Sequence, residues 1–169
     1  MTPTTPAPSG HRAADDTLTF RRVLPLALEE AWAAITDSDR TARWFGPWSG
    51  AEVPGPITVT MLSEDGAPAM PGEVTEVVSM DHYVLRTGPE ESSWVITMSV
   101  EADDAEGDST AVTLSQQVTD PEEAAMIGPG WDYYLDRLVA AETGQDPDAI
   151  TFEPAYIPGL CEHYRGLYV

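Results

Sequence analysis

The 169-residue sequence predicts an α+β domain that has one antiparallel sheet, with helices before and after it. Three observations support this fold class. Residues 28–35 place apolar side chains at helical spacing, residues 56–118 contain alternating segments at regular intervals, and helical spacing returns over residues 131–144. The length is sufficient for a single domain with its own hydrophobic core.

The first elements are predicted to be a strand and a short amphipathic helix. Residues 17–24 alternate as in a strand, and Pro25 ends the pattern. The apolar stripe of the following helix consists of Leu28, Ala31, Trp32 and Ile35. Asp37 or Ser38 can then cap a short second helix that runs through Arg43.

A tight aromatic turn follows, because Gly46 and Pro47 interrupt a run of large aromatic side chains. Those side chains are Trp44, Phe45 and Trp48. They could form a lid over the mouth of a cavity, or a hydrophobic plug that anchors the turn. Trp48 is predicted to be the exposed member of the three.

Five alternating segments are predicted to form the sheet. They are residues 56–62, 72–79, 82–87, 93–101 and 110–118. In the fourth segment the apolar side chains on one face are Trp94, Ile96, Met98 and Val100. Residues 64–66 are predicted to form a hairpin turn and residues 103–108 an acidic turn. Regular spacing of this kind favours an antiparallel sheet.

The second helical region is predicted to be interrupted. Asp120 is a favourable N-cap and Pro121 a favourable first helical residue. The Gly128-Pro129-Gly130 sequence is expected to break this helix. Helical spacing then resumes at Trp131 and ends at Gly144.

The two ends of the chain differ in composition from the predicted core domain, which spans residues 16–144. Residues 1–15 are rich in Pro, Thr and Ala, cannot bury much apolar surface, and are predicted to be a disordered tail. Residues 145–169 contain several aromatic side chains and are predicted to pack back on the domain.

The charge of the chain limits its partners. With 29 acidic and 8 basic residues, all eight of them arginine, the formal net charge is −21 at pH 7. Because such a charge repels phosphate groups, neither nucleic-acid binding nor membrane insertion is expected.

The N-terminus lacks the basic and apolar regions of a signal peptide. A lone cysteine, Cys161, is typical of a reducing compartment, so a cytoplasmic location is predicted.

Neither a metal nor a cofactor is predicted. The three histidines, His11, His82 and His163, are widely separated, and no cluster has the spacing of zinc ligands. The sequence also lacks a phosphate-binding glycine loop, a dinucleotide fingerprint and a nucleophile elbow.

Several motifs occur in a characteristic order over residues 17–144. The relevant positions are Arg22, Trp32, Thr36, Asp37, Trp44, Gly46, Pro47, Gly72, Gly130, Trp131, Leu135 and Leu138. Together they resemble the START/Bet v (SRPBCC) superfamily, in particular its bacterial heat-shock-ATPase-activator-like branch. The sequence departs from that pattern at Ala27 and Ser38, where proline is frequent, and at Ala31, where valine is usual. The resemblance implies a helix-grip fold, in which a curved antiparallel sheet wraps around a long C-terminal helix and leaves a cavity between them.

The implied cavity, together with the apolar strand faces, indicates binding of a small hydrophobic, aromatic or polyketide-like ligand. The predicted ligand-binding residues are Trp44, Trp48, Met61, Tyr83, Trp94, Met98, Leu114, Gln116, Trp131 and Tyr134. Methionine and aromatic side chains suit a cavity that adapts to apolar ligands. Packing in a closed core is the alternative for each of them.

Two other functions stay open at this point. A polyketide cyclase-like or aromatase-like enzyme would need an acid or base in the cavity. The candidates for that role are Tyr83, His82, Gln116 and Tyr134. A co-chaperone-like interaction module would use the acidic surface or the aromatic C-terminal segment, and residues 146–169 could also support a homodimer. No catalytic constellation is evident, which favours binding over turnover.

Overall fold

The computed structural model describes residues 5–61, 66–87, 94–103 and 108–169, and these form an α+β fold around a single antiparallel sheet. The strands are β1 (His11–Arg12), β2 (Thr17–Leu24), β3 (Trp48–Ser49), β4 (Gly55–Thr60), β5 (Ala69–Val78), β6 (His82–Thr87), β7 (Trp94–Asp103) and β8 (Ser109–Gln117). The helices are α1 (Leu28–Thr36), α2 (Ser38–Thr41), α3 (Pro121–Glu142) and α4 (Cys161–Gly166), with a 3-10 turn at Pro147–Ala149. In these residues the strand order is β1-β2-β8-β7-β6-β5-β4-β3.

The predicted helix-grip arrangement of a sheet around a long helix is confirmed. Strands β2 and β6 have the bounds that the alternation predicted, and the other predicted strands shift by one to three residues. The two-residue strands β1 and β3 were not predicted, because two residues are too short to show a periodicity. The hairpin turn at residues 64–66 and the acidic turn at residues 103–108 lie mostly outside the described residues.

Helix α3 is continuous over 22 residues, so the interruption predicted at Gly128-Pro129-Gly130 is wrong. Pro129 removes one backbone hydrogen bond from the helix interior, which normally destabilises a helix. Here Gly128 and Pro129 are buried, and packing of this helix against the domain compensates for the lost bond. The predicted start is confirmed, since the Asp120 carboxylate accepts hydrogen bonds from the amides of Glu122 and Glu123.

The helices divide the concave side of the sheet between them. Helix α3 packs against β2 and α4, whereas α1 packs against β7 and β8. The side chains beneath these helices form the larger of two core clusters. The smaller cluster lies on β4, β5 and β6 and consists of Ile57, Val59, Met61, Val74 and Leu85. Phe45, Tyr83 and Tyr134 pack against both clusters and so lie at the junction between them.

The N-terminal segment is held on the domain from Ser9 onwards, which corrects the disordered tail expected for residues 1–15. Strand β1 pairs with β2, and the Gly10 amide donates to the Tyr164 hydroxyl at 2.9 Å. Ser9 donates from its amide and hydroxyl to the buried carboxylate of Asp132. Composition did not predict this order because it comes from a few long-range hydrogen bonds and not from buried apolar area.

The C-terminal segment packs against α3 and β2. Its buried side chains are Ala155, Tyr156, Leu160, Tyr164 and Tyr168, all of which belong to the larger core cluster. The Tyr156 hydroxyl donates to Asp136 of α3 at 2.7 Å, and the Tyr168 hydroxyl donates to the Asp16 carbonyl at 3.1 Å. Residues 145–169 therefore complete the core on the side of the molecule opposite β4–β6.

Candidate functional site

A cavity of about 350 Å³ lies between the α1–α2 hairpin, the aromatic turn that follows it, and strands β4–β6. Its wall is mostly apolar. The lining residues are Trp32, Ile35, Thr36, Asp37, Thr41, Trp44, Phe45, Gly46, Trp48, Val53, Ile57, Val59, Val74, Val77, Tyr83 and Leu85. The cavity lies at the junction of the two core clusters, because its wall includes Ile35 and Trp44 of the larger cluster and Val59 and Val74 of the smaller one.

The aromatic turn that roofs the cavity is fixed by hydrogen bonds to α1 and α2. The Thr41 hydroxyl donates to the Gly46 carbonyl at 2.9 Å, and the Trp44 indole Nε1 donates to the Ala34 carbonyl at 3.0 Å. Gly46 is required by close packing, because a Cβ at this position would lie 1.9 Å from the Thr60 carbonyl oxygen. Contacts within the protein therefore fix the position of this turn.

Trp48 is anchored at the edge of the cavity and is only half-exposed. Its indole Nε1 donates to the Thr36 carbonyl at 2.7 Å, and its amide donates to the Ser38 hydroxyl at 2.9 Å. The Ser38 hydroxyl donates in turn to the Trp48 carbonyl at 2.8 Å. These bonds join β3 to the α1–α2 hairpin and hold the Trp48 ring in the wall.

A β-bulge shapes the floor of the cavity. The register between β5 and β6 shifts between Val74 and Glu76, so Val74 pairs with Leu85 and Val77 pairs with Tyr83. In a regular strand, residues three apart would point to opposite faces. The extra residue in the bulge allows both valines to line the cavity.

Tyr83 contributes a half-buried phenol to the cavity wall. Its hydroxyl donates to the Met98 sulfur at 3.1 Å, and its ring meets that of Trp32 edge-on at 6.3 Å between centroids. Burial raises the pKa of Tyr83 well above its ordinary value, so the phenol stays neutral and acts as a hydrogen-bond donor. Since a thioether is a weak acceptor, a ligand oxygen could replace it.

Three of the predicted ligand-binding residues, Trp44, Trp48 and Tyr83, line the cavity. Two others, Trp131 and Tyr134, belong to α3. Phe45 separates both of them from the cavity. The Phe45 ring stacks on Trp131 at 5.7 Å and meets Tyr134 edge-on at 4.9 Å. Aromatic packing thus fills the space between the sheet and α3, where the sequence had predicted the cavity.

Gln116 lies behind this aromatic layer. It is 2% exposed, and its Oε1 accepts a hydrogen bond from the Trp131 indole at 2.8 Å. Its Nε2 has no hydrogen-bond partner in the part of the chain that the structure describes. Gln116 therefore fixes the orientation of Trp131, and it stands outside the cavity wall.

The four remaining predicted residues are core or surface side chains. Met61, Met98 and Leu114 are buried in the two core clusters. Trp94 is 43% exposed, although it was predicted to face inward. It is the first residue of β7 and pairs with Thr87 at the end of β6. Alternation along a strand determines the face of a side chain, but it does not show whether a helix covers that face.

Several cavity residues were not predicted as ligand-binding. Trp32 and Ile35 belong to the helical stripe of α1, and that stripe was the signal that could have identified them. Simple alternation could not place Val74 and Val77 on one face, because the bulge interrupts it. Leu85 lies in a strand too short to indicate its role in the wall. Phe45 was assigned to the aromatic turn but was not included among the ligand contacts.

The acid–base candidates do not converge on one point. Tyr83 lines the cavity, whereas Gln116 is buried against Trp131. His82 lies outside the cavity wall and interacts with Asp81 at 2.6 Å and with Glu76 at 3.1 Å. Tyr134 packs against Phe45 and lies outside the cavity wall.

We expect the pKa of His82 to lie above its ordinary value of 6.5, because hydrogen bonds to Asp81 and, to a smaller extent, to Glu76 stabilise the imidazolium. Asp81→Asn should lower that pKa in an NMR titration of the ring protons, while Asp39→Asn should leave it unchanged. A raised pKa in the folded state means that His82 stabilises the fold below pH 6.5 and that this contribution disappears as the pH rises through the raised pKa. An unchanged titration in Asp81→Asn would contradict this assignment.

No group of three or more His, Cys, Asp or Glu side chains in the described ranges is placed to hold a metal ion. Within the same ranges, no helix is long and apolar enough to cross a membrane.

Comparison with known proteins gives a family and a set of structural relatives. Residues 25–142 match the model of the family described as "Activator of Hsp90 ATPase homolog 1-like protein". CalU16 from Micromonospora echinospora has a TM-score of 0.70 at 20% identity, with 96% of each chain covered. The protein encoded by BPP1335 from Bordetella parapertussis has a TM-score of 0.68 at 19% identity, covering 100% of this chain and 96% of that one.

A third solved structure, DynU16, is described as a protein in the dynemicin biosynthetic locus. It has a TM-score of 0.64 at 24% identity and covers 79% of this chain and 49% of that chain. At these identities the three structures establish the fold alone. A comparison with curated proteins gives no match.

Proposed function

The chain belongs to the activator of Hsp90 ATPase homolog 1-like family, a branch of the START/Bet v superfamily, and from this premise we propose that it binds a small hydrophobic ligand in the cavity beneath the α1–α2 hairpin. The observation that carries the proposal is the cavity itself. Its volume of about 350 Å³ lies within the usual range of small-molecule sites. The placement of DynU16 in a biosynthetic locus also supports a role with small molecules.

The chemistry of the wall defines what the cavity would accept. Most lining side chains are aliphatic or aromatic, and most of their polar groups bond to the protein. The indoles of Trp44 and Trp48 and the hydroxyl of Thr41 all donate to backbone carbonyls. Affinity would therefore come mainly from apolar area removed from water, at roughly 25 cal/mol per Å².

The rigidity of the roof also supports binding. The hydrogen bonds of Thr41, Trp44 and Trp48 to backbone carbonyls fix this turn and its indole side chains within the protein. A preformed wall reduces the entropy that is lost when a ligand is ordered. Tyr83 would supply one directional hydrogen bond to an oxygen atom of the ligand.

We expect Val77→Trp to weaken ligand binding by at least about tenfold, because the larger side chain would occupy part of the cavity. The measurement is titration with the neutral fluorescent probe N-phenyl-1-naphthylamine, whose emission rises in an apolar site. Val78→Trp provides the matched control, since Val78 is adjacent on β5, is 44% exposed and lies outside the cavity wall. Equal affinities in the two variants, or no binding to the unaltered protein, would contradict the proposal.

A further inference from the structure

We propose that the ligand of this cavity carries a positively charged amine, which lies beside Asp37 at the rim, and an apolar body that occupies the interior. This inference rests on the proposed function and specifies the ligand class. Three features of the cavity carry it: the one charged residue of its described wall, the helix end that forms part of that wall, and its aromatic side chains.

Asp37 is the one residue of the described cavity wall that is charged at neutral pH. It is exposed, so its carboxylate lies at the rim. Asp37 occupies the N-cap position of α2, but its side chain accepts no capping hydrogen bond there. A capping aspartate usually bonds to the amides of the first helical turn, so the structure leaves this carboxylate available to a ligand.

The two arginines that follow Asp37 in the sequence, Arg40 and Arg43, interact with other groups. Arg40 forms salt bridges with Glu30 at 2.9 Å and with Glu142 at 2.6 Å. Arg43 donates to the Ala141 carbonyl at 2.6 Å. In the ranges that the structure describes, no salt bridge involves Asp37. The Asp37 carboxylate thus lies beside an apolar cavity with no salt-bridge partner among the described residues.

The end of α1 adds to the negative potential at this place. Ile35 and Thr36, in the last turn of α1, line the cavity, and Asp37 follows as the C-cap residue. The C-terminal end of a helix carries partial negative charge and is stabilised by cations. The last turn of α1 contains no basic residue. A cationic group of a ligand would therefore interact favourably with this end of α1, which has no basic side chain of its own.

Aromatic side chains complete a site of the kind that favours amines. Trp32, Trp48 and Tyr83 line the cavity together with Asp37. Aromatic ring faces attract cations, tryptophan most strongly. The net charge of −21 acts in the same direction over a longer range, because it attracts cations to the surface and repels anions.

The test compares three naphthalene probes that share one ring system. The probes are 1-naphthylmethylamine, which is cationic at pH 7, 1-naphthalenemethanol, which is neutral, and 1-naphthoic acid, which is anionic. Each competes with N-phenyl-1-naphthylamine in the unaltered protein, in Asp37→Asn and in Asp39→Asn. Asp39 is an exposed acid of α2 outside the cavity wall, so its replacement changes the net charge equally.

We expect the amine to bind more tightly than the alcohol, and the acid to bind most weakly. Asp37→Asn should weaken amine binding by about two- to fivefold and alcohol binding by clearly less, as expected for one solvent-exposed charge pair. Asp39→Asn should change neither. Thermal unfolding of both variants verifies that they remain folded.

Two further outcomes separate this inference from the proposed function. If the alcohol binds as tightly as the amine, or if Asp37→Asn and Asp39→Asn have equal effects on the amine, the ligand class is wrong but the cavity still binds. If N-phenyl-1-naphthylamine and all three naphthalene probes fail to bind the unaltered protein, the proposed function fails and this inference fails with it.

Discussion

Replacing Asp132 by alanine is expected to lower the free energy of unfolding by about 3–5 kcal/mol, the cost of breaking a buried charge pair. The Asp132 carboxylate is 1% exposed and lies on the buried face of α3. It accepts hydrogen bonds from Ser9, from the Arg22 guanidinium at 3.0 Å and from the Tyr164 hydroxyl. Its removal would leave donors from three separate parts of the chain without this acceptor.

The position of Asp132 in the fold explains why the effect should be global. Arg22 belongs to β2, Ser9 to the N-terminal segment and Tyr164 to α4. Burial and the Asp132 charge also raise the pKa of Tyr164 well above its ordinary value, so its hydroxyl remains a donor at neutral pH. One carboxylate therefore connects both ends of the chain to the core.

Urea unfolding followed by far-UV circular dichroism measures this effect. Tyr164→Phe removes one hydroxyl donor and keeps the ring, so it should cost only about 1–2 kcal/mol. Asp39→Ala, which removes an exposed acid of α2, should change stability by less than about 0.5 kcal/mol. A cost for Asp132→Ala no larger than that of Asp39→Ala would show that the network does not stabilise the fold.

The second large effect is expected for Gly128→Ala, which should destabilise the fold by about 2–3 kcal/mol through overpacking. A Cβ at Gly128 would lie 2.2 Å from Cγ and 2.4 Å from Cδ1 of the Tyr164 ring. That ring is fully buried, and its hydroxyl is fixed by Asp132, so it cannot move away without breaking hydrogen bonds. The absence of a side chain at Gly128 is what allows α4 to lie close to α3.

Gly130 provides a control two residues further along the same helix. Apart from its chain neighbours and the nearby backbone of its own helix, no atom of the described residues would lie within 4 Å of a Cβ there. Gly130→Ala should therefore raise the free energy of unfolding, by up to about 1 kcal/mol, because alanine favours helix more than glycine does. Chemical denaturation of the two variants measures the difference. Equal effects, or a stabilised Gly128→Ala, would contradict the packing described for Tyr164.

The sequence predicted the parts of the fold that depend on local patterns. Alternation identified β2 and β6 with their observed bounds, and Asp120 with Pro121 identified the start of α3. The continuity of α3 through Pro129 could not be predicted locally, because it depends on burial by α4 and the sheet. The order of the segment from Ser9 onwards likewise depends on Asp132, which is 123 residues away in sequence.

The location of the cavity was predicted less well than the fold. The motifs implied a space between the sheet and the C-terminal helix, but Phe45 fills that space by stacking on Trp131. The cavity lies instead under α1, where a bulge in β5 directs both Val74 and Val77 inward. Side-chain volumes across an interface and irregularities in strand register decide such features, and neither is visible in a periodic pattern.

The five tryptophans allow the most direct test of ligand binding at this site. Trp32, Trp44 and Trp48 line the cavity, Trp131 lies behind Phe45, and Trp94 is exposed. Each contributes one indole N–H signal to a two-dimensional ¹H–¹⁵N NMR spectrum, and single Trp→Phe variants assign these signals. On titration with N-phenyl-1-naphthylamine, we expect the signals of the three lining residues to shift and that of Trp94 to remain in place. Shifts confined to Trp131 or Trp94, or no shift at all, would show that the cavity under α1 is not the binding site.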